Sequence, residues 1–506
     1  MRIANSFKNM IGSISSNFVT ILLGFVAQLI FIRVLGTEFL GINGLFTNII
    51  SMLGIVELGI GAAIIYSLYE PLAKKDEKTI KSLMNFYKKA YISVALVVLS
   101  IGISMIPFLG YFVQVTVKVN LIAVFLLFLF DVVFSYLLSY KRSILYADQK
   151  NYIINIVHIL SLIILNAIQI TVLIITGNYY LYLIMRIIMR IIENITLQVI
   201  ANKKYPYLKD KNIEKLDKTI EKGIIVRVKA LFLHKIGGFF VLGTDNIIIS
   251  KFFGIIEVGL YSNYFLIIKS VQMVFSGIIT STTASIGNLI VTAKSEEIYD
   301  VYKKIRFINF WISTFAATSL LLIMEPFIKV WIGAEFLLPF GVLVVLAVNY
   351  YFTTMRNTFS AFKDAAGIYY EDRYVPLIEA FTKVVFSLIF LRYFGLAGVF
   401  LGTIVSGLLL HLYSYPKYVY IRLFNKSYLE YLKEFMSYFV IFALVLVISF
   451  SMTYVIILDN NFLKLILNIV VAGLMPNLIL FMIFRRSEEI KFLKVMLSKL
   501  LKRGSK

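Results

Sequence analysis

The apolar positions of this chain fall into fourteen runs, each close to the 20 or so residues with which a helix crosses a hydrocarbon core about 30 Å thick. They lie near 10–33, 42–66, 89–112, 119–138, 152–176, 179–200, 229–250, 259–290, 307–330, 337–356, 375–394, 398–415, 435–458 and 463–484. The run at 259–290 exceeds one crossing and is expected to tilt or to project beyond the bilayer. Connections after the odd-numbered runs are short, such as LGTEFLG, GN, FGIIEVG, YFGLAG and DNN. Those after the even-numbered runs contain KKDEKTIK, YKRS, NKKYPYLKDKNIEKLDKTIEK and PKYVYIRLFNK. About 39 of the 50 Lys and Arg residues fall on the even side, which both termini share. Lysine and arginine are retained on the cytoplasmic side of a membrane, so both termini and the 201–228 connection are expected there. The pattern predicts an all-α integral membrane protein with 14 transmembrane helices.

The runs also repeat. A shift of 218 residues lays Arg33, Gly36 and Gly41 onto Lys251, Gly254 and Gly259, and Gly177 onto Gly395; a shift of 219 lays Met105-Ile-Pro107-Phe108 onto Met324-Glu-Pro326-Phe327. Six spans is an even number, so the repeat preserves orientation and predicts two parallel six-helix repeats plus two extra C-terminal helices. The expected division is an N-lobe at 1–200 with helices 1–6, a basic amphipathic connection at 201–228, and a C-lobe at 229–421 with helices 7–12. Helices 13–14 at 422–484 and a cytoplasmic basic tail at 485–506 follow. Ile213, Leu216, Ile220 and Ile224 share one helical stripe, as do Ile490, Leu493, Leu497 and Leu500 in the tail. Both stripes are expected to lie on an anionic inner leaflet.

Composition removes other classes. With 60% apolar and 15% charged residues in 506, the chain is too hydrophobic for a soluble protein of this length. Its net charge of +22 has no soluble basic module to sit on, so it is assigned to topology and no nucleic-acid partner is expected. No cysteine and three scattered histidines exclude a disulfide framework and a Cys/His metal site. No phosphate-cradling glycine loop is present, so no nucleotide or other cofactor is expected. The short odd-side connections leave no room for an extracytoplasmic catalytic head. An enzyme is not expected.

Polar side chains inside the spans are the candidate chemistry, because charges facing lipid are costly. In the first span Ser13, Ser16, Asn17, Thr20, Gly24 and Gln28 share a face. The 218 shift brings Ser16 and Asn17 onto His234 and Lys235, and Gln28 onto Asn246. The stripes either pack helices through small polar residues or line a shared water-filled cavity, and Lys235 and Asp245, which packing does not need, favour the cavity. In the eighth span Lys269 follows Gly259 by ten residues, about 15 Å along the helix and near mid-membrane, with Gln272 on the same face. Lys269 either contacts substrate or pairs with a buried carboxylate. In the sixth span Arg186, Arg190 and Glu193 share a face, with Asp131 of the fourth span at comparable depth. These four either neutralise one another or serve the substrate. The substrate-binding candidates are Lys269, Lys235, Arg190, Arg186, Asn17, Gln28 and Gln272; Asp245 and Asp131 are coupling candidates, and no metal site is expected. His158 and His411, each alone near a helix end, are expected to be structural.

Three stretches carry a resemblance: RVLGTEFLGINGLFTNIISMLGIVELGIGAAIIYSLYEPLA at 33–73, TDNIIISKFFGIIEVGLYSNY at 244–264, and KDAAGIYYEDR at 363–373. The chain resembles, over essentially its whole length, the oligosaccharide-unit flippases of bacterial polysaccharide synthesis in the multidrug/oligosaccharidyl-lipid/polysaccharide exporter superfamily. The resemblance implies flipping of an undecaprenyl-diphosphate-linked oligosaccharide from the inner to the outer leaflet of the bacterial cytoplasmic membrane by alternating access. It implies partners too: the lipid-linked substrate, membrane lipids and polysaccharide polymerase machinery. Related flippases use a central cationic cavity, and Lys269 occupies a comparable place. Where related lipid II flippases supply arginines from the first span, this chain has Asn17 and Gln28. Physical chemistry agrees with a diphosphate, which needs fixed cations to enter a low-dielectric core. The alternatives are a multidrug antiporter of the same superfamily, in which carboxylates would dominate, and another 6+6 secondary transporter of an anionic solute.

Overall fold

A computed structural model describes the backbone of residues 2–492 apart from positions 58, 114, 115, 211, 369, 370 and 457. Side chains at 2–8, 10, 11, 229–231, 233–242, 280 and 284 lie outside the described residues. The described chain is helical, with no strand among the described residues. Its main helices are α1 (Arg2–Leu35), α2 (Thr37–Leu53), α3 (Ile60–Lys74), α4 (Glu77–Met105), α5 (Leu121–Ser139), α6 (Asn151–Thr176), α7 (Tyr179–Lys204) and α8 (Lys218–Phe252). There follow α9 (Ile255–Thr280), α10 (Thr283–Thr292), α11 (Ser295–Trp331), α12 (Phe340–Ala366), α13 (Val375–Phe394), α14 (Leu396–Leu409), α15 (Tyr428–Val455) and α16 (Asn461–Phe484).

Among the described residues ten helices are long and apolar enough to cross a membrane. The chain is a multi-pass membrane protein. The remaining four expected runs are helical too, on α7, α8, α12 and α13. Three of these, α7, α12 and α13, carry in-span charges such as Arg186, Arg190, Glu193, Arg356 and Glu379.

Three sequence expectations change. The run at 42–66 is broken: α2 ends at Leu53, a tight turn runs Gly54–Glu57, and Gly59, at φ 88°, starts α3. Glycine accepts that left-handed conformation without strain. The long run at 259–290 divides at Ser281–Thr282 between α9 and α10. The stripe Ile213–Ile224 is not one helix on the leaflet. Residues 212–217 are non-helical, Asp217 caps α8 by accepting from the Thr219 amide, and Leu216, Ile220 and Ile224 pack into the interior of the first unit. In the tail Ile490 is buried, while Leu493, Leu497 and Leu500 lie outside the described residues.

The chain divides into two units, Met1–Ser262 and Asn263–Lys506. In the first, one apolar core gathers Ala63, Ile64 and Leu68 of α3, Leu83 and Tyr87 of α4, and Leu197 and Ala201 of α7. The span expected to open the second half, α8, belongs to this unit and packs on α2 and α3. Four repeat positions act as backbone pairs: Gly36 and Gly254 have φ 89° and 103°, and Gly177 and Gly395 have φ 60° and 56°. Gly41 and Gly259 form a third pair, matched by close approach instead of by φ. A Cβ at Gly41 would stand 1.9 Å from the Ile255 carbonyl oxygen, and one at Gly259 would stand 2.2 Å from that of Thr37. Thr37 and Ile255 are themselves 218 apart, so this crossing of the first turns of α2 and α9 maps onto itself under the repeat.

In the second unit α11 packs against α12, α15 and α16. Arg306, 1% exposed, meets Glu434 at 2.5 Å inside a cage of Tyr302, Phe359, Tyr431 and Tyr438. Arg356 grips both oxygens of Glu379 at 2.7 and 3.0 Å, and His411 is buried against the Phe352 carbonyl at 3.2 Å. These pairs hold polar side chains inside an apolar helix stack.

Candidate functional site

A cavity of about 410 Å³ opens inside the first unit, lined by Thr47 and Ser51 of α2, Glu57 of the helix break, Asp131 and Tyr136 of α5, and Arg186 and Arg190 of α7. Asn178 sets the register of α7 by accepting from the Tyr180 and Leu181 amides at 2.9 and 3.1 Å. From that cap Arg186 and Arg190 sit about 12 and 18 Å along the helix, one turn apart on one face. Asp131, buried on the facing helix, receives both: Arg186 Nε lies 3.3 Å from one carboxylate oxygen and Arg190 Nε 3.4 Å from the other. The Arg186 guanidinium also lies 4.3 Å over the ring of Phe128.

Arg190 hydrogen-bonds Asp131 through its Nε, whereas Arg186 meets the carboxylate as an ion pair and its Nε makes no hydrogen bond. The terminal Nη groups of Arg186 and Arg190 have no hydrogen-bond partner among the described residues. Their side chains keep 20% and 35% exposure, against 8% for that of Asp131. The cavity therefore presents planar donors to its contents, in the fork geometry that suits phosphate and carboxylate oxygens.

The expected four-membered network divides in two. Glu193 bonds Arg142 at 2.7 Å and His158 at 3.4 Å, leaving Asp131 alone to serve Arg186 and Arg190. Glu57 is a lining residue that sequence reasoning did not single out. It accepts a hydrogen bond from Tyr91, whose ring packs edge-on against Tyr87. Its signal was present in Gly54-Ile-Val-Glu57-Leu-Gly59-Ile-Gly61, a carboxylate amid three glycines within an apolar run. Glycines there mark a broken helix, and broken helices in membranes are tolerated where they line a cavity.

The other candidates are placed as follows. Asn17 is exposed on α1, and Gln28 is half-buried on the same helix, which packs on α6. Lys269 is exposed and Gln272 half-buried on the part of α9 that belongs to the second unit. Lys269 makes no ion pair among the described residues, so the paired alternative finds no partner there. The side chains of Lys235 and His234 lie outside the described residues. Asp245 is half-buried on α8, within electrostatic reach of Tyr261. Of the candidates, Arg186, Arg190 and Asp131 are brought into one site.

A family model described as "Polysaccharide biosynthesis protein" matches residues 6–284. No curated protein matches the chain. Among solved structures, the lipid II flippase MurJ in an inward closed conformation is 16% identical, with 94% of this chain and 99% of that one covered at a TM-score of 0.66. An inward-facing multidrug resistance MATE family transporter of the MOP superfamily is 15% identical over 79% of this chain and 94% of that one, at a TM-score of 0.62. The Vibrio cholerae MATE transporter VcmN is 13% identical over 84% and 99%, at 0.56. At these identities the likeness is one of fold. The chain belongs to the polysaccharide biosynthesis protein family and has the all-helical fold of the MOP-superfamily transporters.

Proposed function

We propose that this protein flips an undecaprenyl-diphosphate-linked oligosaccharide repeat unit from the inner to the outer leaflet of the bacterial cytoplasmic membrane, for polysaccharide biosynthesis and export. Its termini are cytoplasmic in this reading, and it moves substrate by alternating access without catalysing a covalent step. The observation that carries the reading is the pair Arg186 and Arg190, two turns of guanidinium donors lining a cavity among membrane spans with their Nη groups uncommitted. The family description and the lipid II flippase fold support it.

In this reading the diphosphate competes with Asp131 for the two guanidinium groups. Charge in a low-dielectric site is tolerated only when paired, so substrate entry and release of Asp131 are linked. Asp131 and Asp245 then remain candidates to carry a coupling proton. Lys235, Asn17 and Gln28 in the first unit, and Lys269 and Gln272 in the second, remain candidate substrate contacts, cations for phosphate and amides for sugar hydroxyls. The prenyl chain stays in lipid.

The test is flipping of a fluorescent lipid-linked oligosaccharide in proteoliposomes. Each charge-assisted hydrogen bond is worth about 1.5–3 kcal/mol, so Arg186→Gln and Arg190→Gln should each slow flipping by about tenfold or more. Lys at the same positions keeps the charge without the fork and should retain part of the rate. Full flipping by the double glutamine variant would exclude this site.

One observation favours the multidrug reading: Glu57 and Asp131 give the same cavity two carboxylates against its two arginines. Proton-driven export of a cationic dye from the same proteoliposomes, lost in Glu57→Gln, would select that reading.

A further inference from the structure

A second cavity, of about 290 Å³, lies at the basic end of the first unit, between the first turns of α4, the turn after α5 and the segment that follows α7. Lys81, Asn85 and Lys88 share one face of α4, Lys141 enters from the turn, and Asp210 is the lining carboxylate. The wall is built, not incidental. Lys81 Nζ bonds Asp210 at 2.7 Å and the Asn212 carbonyl at 3.4 Å, and Ser82 Oγ donates to the Glu214 carbonyl at 2.9 Å, so Asp210, Asn212 and Glu214 are strapped to α4.

The charges do not balance. Asp210 is engaged by Lys81; Lys141 donates to the neutral amide oxygen of Asn202 at 2.5 Å and lies 5.8 Å over the Tyr140 ring, and neither it nor Lys88 makes an ion pair among the described residues. Burial, and then the like charges of Lys88 and Lys209, push the Lys141 ammonium below the ordinary lysine value. Three ammonium groups converging on one carboxylate, itself taken by Lys81, raise the free energy of the empty cavity, and an anion between the other two lowers it. Basic pockets between spans at the positively charged membrane face suit phosphate-bearing headgroups.

We propose that this cavity binds a phosphate-bearing group, a phosphate ester or diphosphate, held between Lys88 and Lys141 and closed by Lys81. The site is separate from the arginine cavity and stands whether or not that cavity carries substrate.

The test uses the purified full chain and its thermal unfolding midpoint. One arm titrates inorganic pyrophosphate in detergent against potassium chloride at matched ionic strength. The other compares phosphatidylcholine vesicles with and without phosphatidylglycerol. Each lysine at an anionic surface contributes about fivefold in affinity, so Lys88→Gln and Lys141→Gln should each weaken the stabilising response by about that factor. Lys88 is exposed and unpaired, so its variant folds. A lysine-dependent response to pyrophosphate identifies a ligand taken from water; a lysine-dependent response confined to phosphatidylglycerol identifies a lipid headgroup. Either supports the site. Responses equal in wild type and both variants, or lost in Arg186→Gln and kept in the lysine variants, would overturn it, as would no response in either arm.

Discussion

Alanine at Gly41 tests the crossing of α2 and α9 most directly. The added Cβ would meet the Ile255 carbonyl oxygen at 1.9 Å, and since ordinary contact begins at 3.4 Å, the two first turns must draw apart by about 1.5 Å. The obstacle is backbone, so no rotamer change relieves it. Overpacking of this kind costs about 1–3 kcal/mol, and alanine returns up to about 1 kcal/mol by favouring a helix over glycine. The expected net loss is about 1–2 kcal/mol. Gly277, on α9 with nothing within 4 Å of its would-be Cβ, is the control, and Gly277→Ala should be neutral or stabilising. Gly259→Ala meets the Thr37 carbonyl at 2.2 Å from the other side of the same crossing. One separation relieves both clashes, so the double variant should cost clearly less than the two singles together. Equilibrium unfolding of purified protein in mixed micelles, followed by helical ellipticity, measures all four. The reasoning fails if Gly41→Ala is as stable as Gly277→Ala, or if the two costs add in full.

Asp131→Asn leaves Arg186 and Arg190 without their carboxylate and should destabilise the protein by about 3 kcal/mol, the low end for a broken buried pair because both arginines keep some exposure; an unchanged unfolding midpoint in the same micelles would count against the shared ion pair. At the start of α4 the Asp76 carboxylate accepts from the Thr79 hydroxyl and amide, which hold it below its ordinary 3.8. Its contribution is therefore present above about pH 4 and lost as pH falls through the lowered value; acid titration of stability should lose that component in Asp76→Asn, and an identical acid profile would refute it. For topology, cysteines replacing Lys75 and Glu214 in this cysteine-free chain should resist an impermeant maleimide in intact cells, while one replacing Asn460 should react. Labelling of Lys75→Cys without permeabilisation would invert the map.

What the sequence by itself determined follows from local physics. Twenty-residue apolar runs have few fates other than crossing a membrane as helices, so the all-helical multi-pass class was legible from spacing alone. The repeat was legible because Gly36, Gly254, Gly177 and Gly395 all hold positive φ, a demand that one residue type meets best. Periodicity placed Arg186, Arg190 and Asp131 on polar faces at comparable depth. It could not say which carboxylate each arginine would meet, because a helical period gives the direction of a side chain and not the helix opposite. Tertiary structure gave Asp131 to both arginines, across 55 and 59 residues of sequence, and took Glu193 away to Arg142 and His158. It also brought Glu57 into the cavity, by breaking a run that hydropathy reads as continuous. The stripe Leu216, Ile220 and Ile224 makes the same point in reverse: lipid and a protein core are equally apolar, so amphipathicity states that a face is buried, and only packing decides against what.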